Sequence, residues 1–399
     1  MGAVMTGSGK GIVLQWRGHR FYMDPVLLLV TLTLVMFGYV MVASASLHLG
    51  DRMAGDSFYF PRHQLIHIAL GLLLGVAAAS VRLEEWHRYA LRLFFVGLLL
   101  LLIVLVPGVG KSVNGSVRWL NILGLRIQVS EVFKLISVIY MASFIDRHIN
   151  VVRSSWLGIL KPFLLLGIGA GLLLKEPDFG SVVVIFAVAS GMLLLAGAKF
   201  WHFGLLVMVF ISSGAFLVIN APYRLRRVLS FLDPWDDPLN SDFQLSQALI
   251  AFGRGEWTGV GLGSSIQKMF YLPEAHTDFL FSVIGEELGL LGATVVILLF
   301  MVLVWRSFVI GRLAEQSGTR FSAYLAYGIG VWFSVQAFIN MGVNMGLLPT
   351  KGLTLPLMSY GGGSIMIMSA TLALLFKVRS DAVAAVSAKP RVRATWAGA

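Results

Sequence analysis

Cysteine is missing from all 399 positions. That absence excludes a disulfide framework, a thiolate metal site and a cysteine nucleophile, and it leaves the redox compartment open. Charge is scarce as well. Asp, Glu, Lys and Arg make up 13% of the chain, half of the ~25% found in soluble domains. Hydrophobic residues reach 57%. Such a chain is neither disordered nor a water-soluble globule, so it is an integral membrane protein. Several chemical signatures are lacking too. The eight histidines show no metal-ligand spacing, and the Ser and His residues define no triad. Gly259-Val260-Gly261-Leu262-Gly263 has no strand before it and is not a dinucleotide loop.

What is present is a series of long apolar runs. A helix needs about 20 apolar residues to cross ~30 Å of hydrocarbon. Ten segments read as spans: 25–47, 65–81, 89–106, 129–145, 156–174, 179–198, 200–219, 279–305, 321–343 and 353–376. The second and fourth are short, and the fourth carries charge. An even number places both termini on one side. The expected fold is an all-α integral membrane protein with ten transmembrane helices and both termini cytoplasmic. Residues 1–24 form the cytoplasmic N-terminal segment, 25–376 the membrane domain, and 377–399 a mobile, basic cytoplasmic tail. The net charge of +11 fits this orientation. With the N-terminus inside, the inner ends of the spans collect the Lys and Arg excess, and the outer loops are close to neutral. The basic balance therefore calls for no nucleic acid. Ala43-Ser44-Ala45 resembles a signal-peptidase site. The apolar run before it is roughly 17 residues, longer than the ~7–15 of a signal peptide, so the first span is expected to be retained.

The outward loop 220–277 is long, and long loops in compact domains are functional or disordered. Its composition is not low-complexity. Arg224, Arg226 and Arg227 lead into Asp233-Pro234-Trp235-Asp236-Asp237-Pro238. Residues 243–252 read as a short amphipathic helix. Gly253, Gly255, Gly259, Gly261 and Gly263 then signal tight turns. The loop is expected to be ordered and folded back over the outer face. A second outward loop, 107–128, carries Lys111, Arg118 and Arg126, and a third, 344–352, carries Lys351. Gly361-Gly362-Gly363 breaks the last span near its outer half. Free backbone groups at that depth survive only where protein or a water-filled cavity satisfies them, which points to a cavity opening outward.

Asp278 stands at the outer start of a long apolar helix. Two compatible readings apply: a helix cap, or a general base at the water–membrane boundary. Glu286 and Glu287 lie two turns deeper, about 12–13 Å along the axis at 1.5 Å per residue. Carboxylates at that depth face the bundle or a cavity; one of them reads as a structural partner for a helix-facing Arg or Lys, and the alternative is a direct chemical role. Gln128, Glu131 and Lys134 recur every three residues and share one face. They read either as a self-neutralising ion pair that locks helix packing, or as a polar floor for a charged substrate group. Arg118, Lys351 and the Arg224 cluster all lie outward. Arg suits bidentate phosphate contacts and Lys point-charge contacts, so their gathering favours an anionic ligand. Asp178 reads as the cap of the sixth span.

Five blocks, in order, resemble the SEDS family of bacterial peptidoglycan polymerases. They are Ser116-Val117-Arg118-Trp119 with Gln128, Glu131 and Lys134; Glu176-Pro177-Asp178-Phe179-Gly180; 223–234; 272–279 running into Gly285-Glu286-Glu287-Leu288-Gly289; and 349–356 with Ser359-Tyr360-Gly361-Gly362-Gly363-Ser364. The form Pro273-Glu274-Ala275-His276-Thr277-Asp278-Phe279 looks like the division branch, because the elongation branch typically has Arg where Ala275 stands. One departure is Val129, where the family usually has Pro. The resemblance implies polymerisation of lipid II at the outer face of the cytoplasmic membrane, at the division septum, with release of undecaprenyl pyrophosphate. It implies Asp278 as the catalytic residue, with Lys351, Arg118, Arg224, Glu131, Lys134, His276 and Ser359 as substrate or pyrophosphate contacts. No cofactor is certain; a divalent cation, Mg or Mn, is compatible with a departing diphosphate. The implied partners are a class B penicillin-binding protein acting as septal transpeptidase, membrane lipids, and other division proteins such as the FtsQ-FtsL-FtsB complex.

Two other functions fit the same outline. A lipid II flippase would share the fold and substrate, but it would need central polar residues exposed alternately to both sides. A non-catalytic scaffold recruiting the transpeptidase would tolerate loss of Asp278. The outward clustering of polar residues favours surface chemistry.

Overall fold

The computed structural model describes residues 2–6, 11–16, 19–113, 116–122, 125–220, 225, 231, 233–236 and 243–388. The helices are α1 (Pro25–Ala54), α2 (Tyr59–Ser80), α3 (Leu83–Val104), α4 (Val129–Ser154), α5 (Leu157–Lys175), α6 (Phe179–Leu195), α7 (Phe200–Ile219), α8 (Phe243–Gly255), α9 (Leu280–Ser317), α10 (Arg320–Asn344) and α11 (Gly362–Ala388). Every expected span overlaps one of them, although residues 353–361, expected at the start of the last span, lie outside any helix; α8 is the amphipathic helix expected in the long loop. Among the described residues, seven helices are long and apolar enough to cross a membrane: α1, α2, α3, α5, α9, α10 and α11. The fold class is all-α and multi-span.

The polar composition of α4 has a physical reason. Its residues are buried on nearly every face between 129 and 145. A helix enclosed by protein needs no apolar surface for lipid, so it can carry Glu131, Lys134 and several serines. Phe133, Lys134, Trp332 and Phe333 are among the largest fully buried side chains. The centre of the bundle therefore lies between α4 and α10.

Two small antiparallel sheets interrupt the helical pattern. β1 (Gly2–Thr6), β2 (Gly11–Trp16) and β3 (His19–Met23) pair in order at the N-terminus. β4 (Lys111–Val113), β5 (Ser116–Ile122) and β6 (Leu125–Gln128) form the outward loop between α3 and α4. This second meander was not anticipated, although β-branched and aromatic residues flank an Asn114-Gly115 pair in the sequence, a hairpin signal.

The start of α1 is clamped to α9 and α11. Asp24 caps α1 by accepting from the N–H groups of Val26 and Leu27 at 3.0 Å. The same buried carboxylate pairs with Arg306 of α9 and Arg379 of α11. Arg379 also donates to the Tyr22 carbonyl, and Tyr22 N–H donates to Ser380. The expected mobile tail is thus corrected at its start. α11 continues to Ala388, with Val378, Arg379, Ser380 and Ala382 buried, because this clamp gives it something to pack against.

The long outer loop is bound to α9 by backbone. Gly289 breaks the helix with φ 65° and ψ −163°. Val260 and Gly261 N–H groups donate to the carbonyls of Glu286 and Glu287 at 3.0 Å each, and Leu290 and Leu291 donate to Glu256 and Trp257. A β-carbon at Gly289 would lie 2.5 Å from Gly259 N, so only glycine admits this contact. The loop backbone supplies the hydrogen bonds that the broken helix cannot make internally.

Candidate active site

Asp278 lies just outside α9. The helix begins at Leu280, and no side chain caps its N-cap residue, Phe279. Asn344 of α10 supplies the cap from across the bundle: its Oδ1 accepts from Ser282 N–H at 3.0 Å and Ser282 Oγ at 2.8 Å. The segment before the helix is a compact turn. Glu274 has a left-handed φ of 56°, and its carbonyl accepts from the N–H groups of Thr277 and Phe279 at 3.1 and 3.2 Å. Asp278 is half-buried there.

The loop leading to α11 wraps this turn. A β-carbon placed on Gly352 would lie 3.0 Å from Asp278 Oδ2, so the carboxylate sits against bare backbone. The neighbouring Lys351 places Nζ 4.1 Å from the centre of the Phe179 ring, a cation–π contact. Gly180 abuts Leu353 in the same loop. Phe179 and Gly180 follow Asp178, whose carboxylate caps α6 as expected, accepting from Ser181 N–H at 3.2 Å and Ser181 Oγ at 2.9 Å.

Arg118, on β5, reaches this turn from the other side. It donates to the carbonyls of Glu176 and Pro177 at 3.3 and 3.4 Å and to Ser116 Oγ at 2.8 Å, and it stands 3.9 Å from Asp178 Oδ1. Its guanidinium is engaged in bracing the turn beneath Lys351. Glu176 is fully buried, and neither of its carboxyl oxygens has a hydrogen-bond partner. Burial, reinforced by the charge of Asp178 and opposed by Arg118, pushes its pKa up to about 8.

His276 and Ser359 form an adjoining wall. The His276 ring lies 4.8 Å from Phe60 and 5.4 Å from Tyr360, centre to centre, and its carbonyl accepts from Tyr360 N–H at 2.9 Å. Burial lowers the His276 pKa, with Glu274 acting in the opposite sense, so the imidazole is neutral near pH 7. Ser359 is buried, and its hydroxyl accepts from Leu355 N–H at 2.9 Å. That bond closes the 355–359 turn, so the hydroxyl acts within the loop. Arg224, with Arg226 and Arg227, lies outside the described residues.

Glu131 and Lys134 form the expected ion pair, at 2.7 Å and fully enclosed. Lys134 also donates to Gln336 Oε1 at 2.9 Å. Gln336 in turn donates to the Thr354 carbonyl at 3.1 Å. One turn further along α10, Asn340 Nδ2 donates to the carbonyls of Asp278 at 2.8 Å and Leu353 at 2.6 Å. Asn344 Nδ2 donates to the same Asp278 carbonyl at 2.9 Å. Sequence reasoning missed these three amides. Their signal was Gln336, Asn340 and Asn344 spaced by four inside an apolar span, hence on one face.

Glu286 and Glu287 serve the loop. Glu286 binds Arg254 at 2.8 Å, Ser265 Oγ, and the N–H groups of Ile266 and Gln267. Glu287 binds Lys268 at 2.6 Å and Ser44 Oγ at 2.8 Å. The expected basic partners are therefore Arg254 and Lys268, both from the loop itself.

These features define a polytopic membrane protein whose polar site gathers beside the start of one helix. Residues 25–383 match the FtsW/RodA/SpoVE family, described as cell cycle proteins, and the chain belongs to that family. It is 65% identical over 392 residues, covering 98% of both chains, to a protein of Methylococcus capsulatus named probable peptidoglycan glycosyltransferase FtsW. A protein of the same name from Methylomonas methanica is 58% identical, over 91% of this chain and 94% of that one. Among solved structures, the chain resembles a component of a peptidoglycan synthase complex studied for its coordination of polymerization and crosslinking (TM-score 0.72, 27% identity, 90% of this chain and 98% of that one). It also resembles the rod shape determining protein RodA of Thermus thermophilus (TM-score 0.65, 26% identity, 90% and 97% covered).

Proposed function

We propose that this peptidoglycan glycosyltransferase polymerises lipid II into glycan strands at the outer face of the cytoplasmic membrane during septal wall synthesis, with Asp278 as general base. The enzyme class rests on the family and on relatives bearing that name. The observation that supports the base assignment is the placement of Asp278: half-buried, just ahead of α9, with Gly352 of the Lys351 loop against its carboxylate. In the proposed step the 4-hydroxyl of one GlcNAc attacks the anomeric carbon of the MurNAc on another chain. The bond from that carbon to the diphosphate oxygen breaks, and undecaprenyl pyrophosphate leaves with the electron pair. Asp278 takes the hydroxyl proton. Proton transfer in the transition state contributes about 10²–10⁴-fold. Lys351, on the loop that wraps Asp278, steadies the departing charge, and Arg118 holds the turn beneath it.

Among the described residues no three His, Asp or Glu converge as a metal cage. A divalent cation, if used, would be held by one carboxylate and the substrate's phosphates, a mode that suits magnesium. We further assign ten spans with both termini inside, a class B penicillin-binding protein as the transpeptidase partner, the FtsQ-FtsL-FtsB complex as a division-specific one, and Arg224 to the anionic ligand.

Purified protein with its penicillin-binding partner, given labelled lipid II, tests the reading. Asp278→Asn is expected to lower the polymerisation rate by at least about 10²-fold, with unchanged thermal unfolding and partner binding. Full-rate polymerisation by that folded variant sinks the assignment.

A further inference from the structure

Asp278 is held by more than its own turn. Because α9 begins at Leu280, no helical hydrogen bond orients the peptide that follows Asp278. Its carbonyl is instead taken by two side chains from a different helix, Asn340 and Asn344. A carbonyl oxygen has two lone pairs, so both are filled and rotation of that peptide plane is arrested. Asn344 has a second function through its other amide atom, which caps α9 at Ser282. Base, helix start and α10 are therefore tied at one residue.

Asn340 joins a further piece. Its two N–H groups reach the carbonyls of Asp278 and Leu353, so it fixes the base relative to the loop that carries Lys351 and Gly352. The orientation of this amide is set by chemistry: both partners are carbonyl acceptors, and only the nitrogen end can donate. The cost is visible. Asn340 Oδ1 is buried without a hydrogen-bond partner, a cost that an apolar side chain at this position would not carry.

We infer that Asn340 and Asn344 are positioning residues for glycosyl transfer, which together hold Asp278 at the reacting hydroxyl and lock it to the Lys351 loop. This rests on Asp278 being the base. The physical reason is distance. Displacement of a reacting group by ~1 Å can cost about 10²-fold in rate, and the 272–279 segment has no helix of its own to supply that precision.

The test is steady-state lipid II polymerisation by the full chain with its penicillin-binding partner, from pH 5.5 to 8.5. Asn340→Ala, Asn344→Ala, Asn340→Asp and Asp278→Asn are compared with the parent. Each alanine variant is expected to lower kcat by about 10–10²-fold with KM within about threefold, the signature of lost transition-state placement rather than lost binding. Asn340→Asp keeps the shape but brings a negative charge toward the base. It is expected to move the acid limb of the kcat profile to higher pH, because a nearby like charge makes Asp278 hold its proton. A merely structural amide would not move that limb. If Asn340→Ala lacks a cooperative unfolding transition, Asn344→Ala decides alone, since it leaves one donor on the Asp278 carbonyl. Parental kcat and an unshifted profile in the folded variants, with Asp278→Asn inactive, overturn the inference and leave the base intact. Parental activity in Asp278→Asn removes the reading beneath it.

Discussion

Two groups of carboxylates sit on the same helical rod and have opposite surroundings. Glu286 and Glu287 are sealed inside, each with a cation and several hydrogen-bond donors. Asp278 precedes the helix, half-buried on a turn held by backbone and by amides from α10. The first pair are saturated with partners and anchor the loop. Asp278 is gripped through its carbonyl by Asn340 and Asn344. The two acidic positions thus differ in what distant segments hold: the carboxylates of Glu286 and Glu287, the backbone carbonyl of Asp278.

That contrast can be broken in graded ways. The largest effect is expected at Asp278, where Asn should abolish turnover and spare stability. The next is at the anchor. Lys268→Met leaves Glu287 charged and buried, and losing one partner of such a pair costs about 3–5 kcal/mol. Thermal unfolding in detergent should fall accordingly, whereas the double variant with Glu287→Leu should recover much of the loss. Should Lys268→Met leave unfolding unchanged but stop catalysis, the division of labour fails.

Glu176 gives a smaller, pH-dependent effect. Its folded pKa of about 8 lies above its ordinary 4.5. Between those values the folded chain holds a proton that the unfolded chain has released. Its contribution is therefore fully present below about 4.5 and is lost as pH rises through 8. Glu176→Gln cannot ionise. It should match the parent near pH 4.5 and exceed it near pH 8.5 by a few kcal/mol, since each tenfold change in proton affinity is worth ~1.4 kcal/mol. Equal unfolding temperatures at pH 8.5 would show that this carboxyl keeps its ordinary pKa in the fold. The smallest effect is expected at Gly352. A methyl 3.0 Å from Asp278 Oδ2 is tight enough to nudge loop and base apart. Gly352→Ala should reduce kcat by roughly tenfold without a measurable change in unfolding.

The sequence disclosed the elements whose cause is local. All ten apolar runs overlap helices, Asp178 caps α6, and the glycine series near 259 forms turns. The pairing of Glu131 with Lys134 was legible because one helix carries both. What stayed hidden depends on distant segments. Nothing near Asp278 announced that Asn344, 66 residues later, would bind both the Ser282 N–H at the start of α9 and the Asp278 carbonyl. Arg118 read as a ligand for phosphate, yet three neighbouring acceptors engage it. The extension of α11 past Phe376 required the Asp24–Arg379 contact, which joins residues 355 positions apart.

The seam between Gly259 and Gly289 has one more consequence. Since the extramembrane strap completes the backbone of the rod it lies on, the two form a single cooperative unit. Nicking the strap would strip the break in the rod of its hydrogen-bond partners, and damage done to the loop would propagate into the helix beneath it.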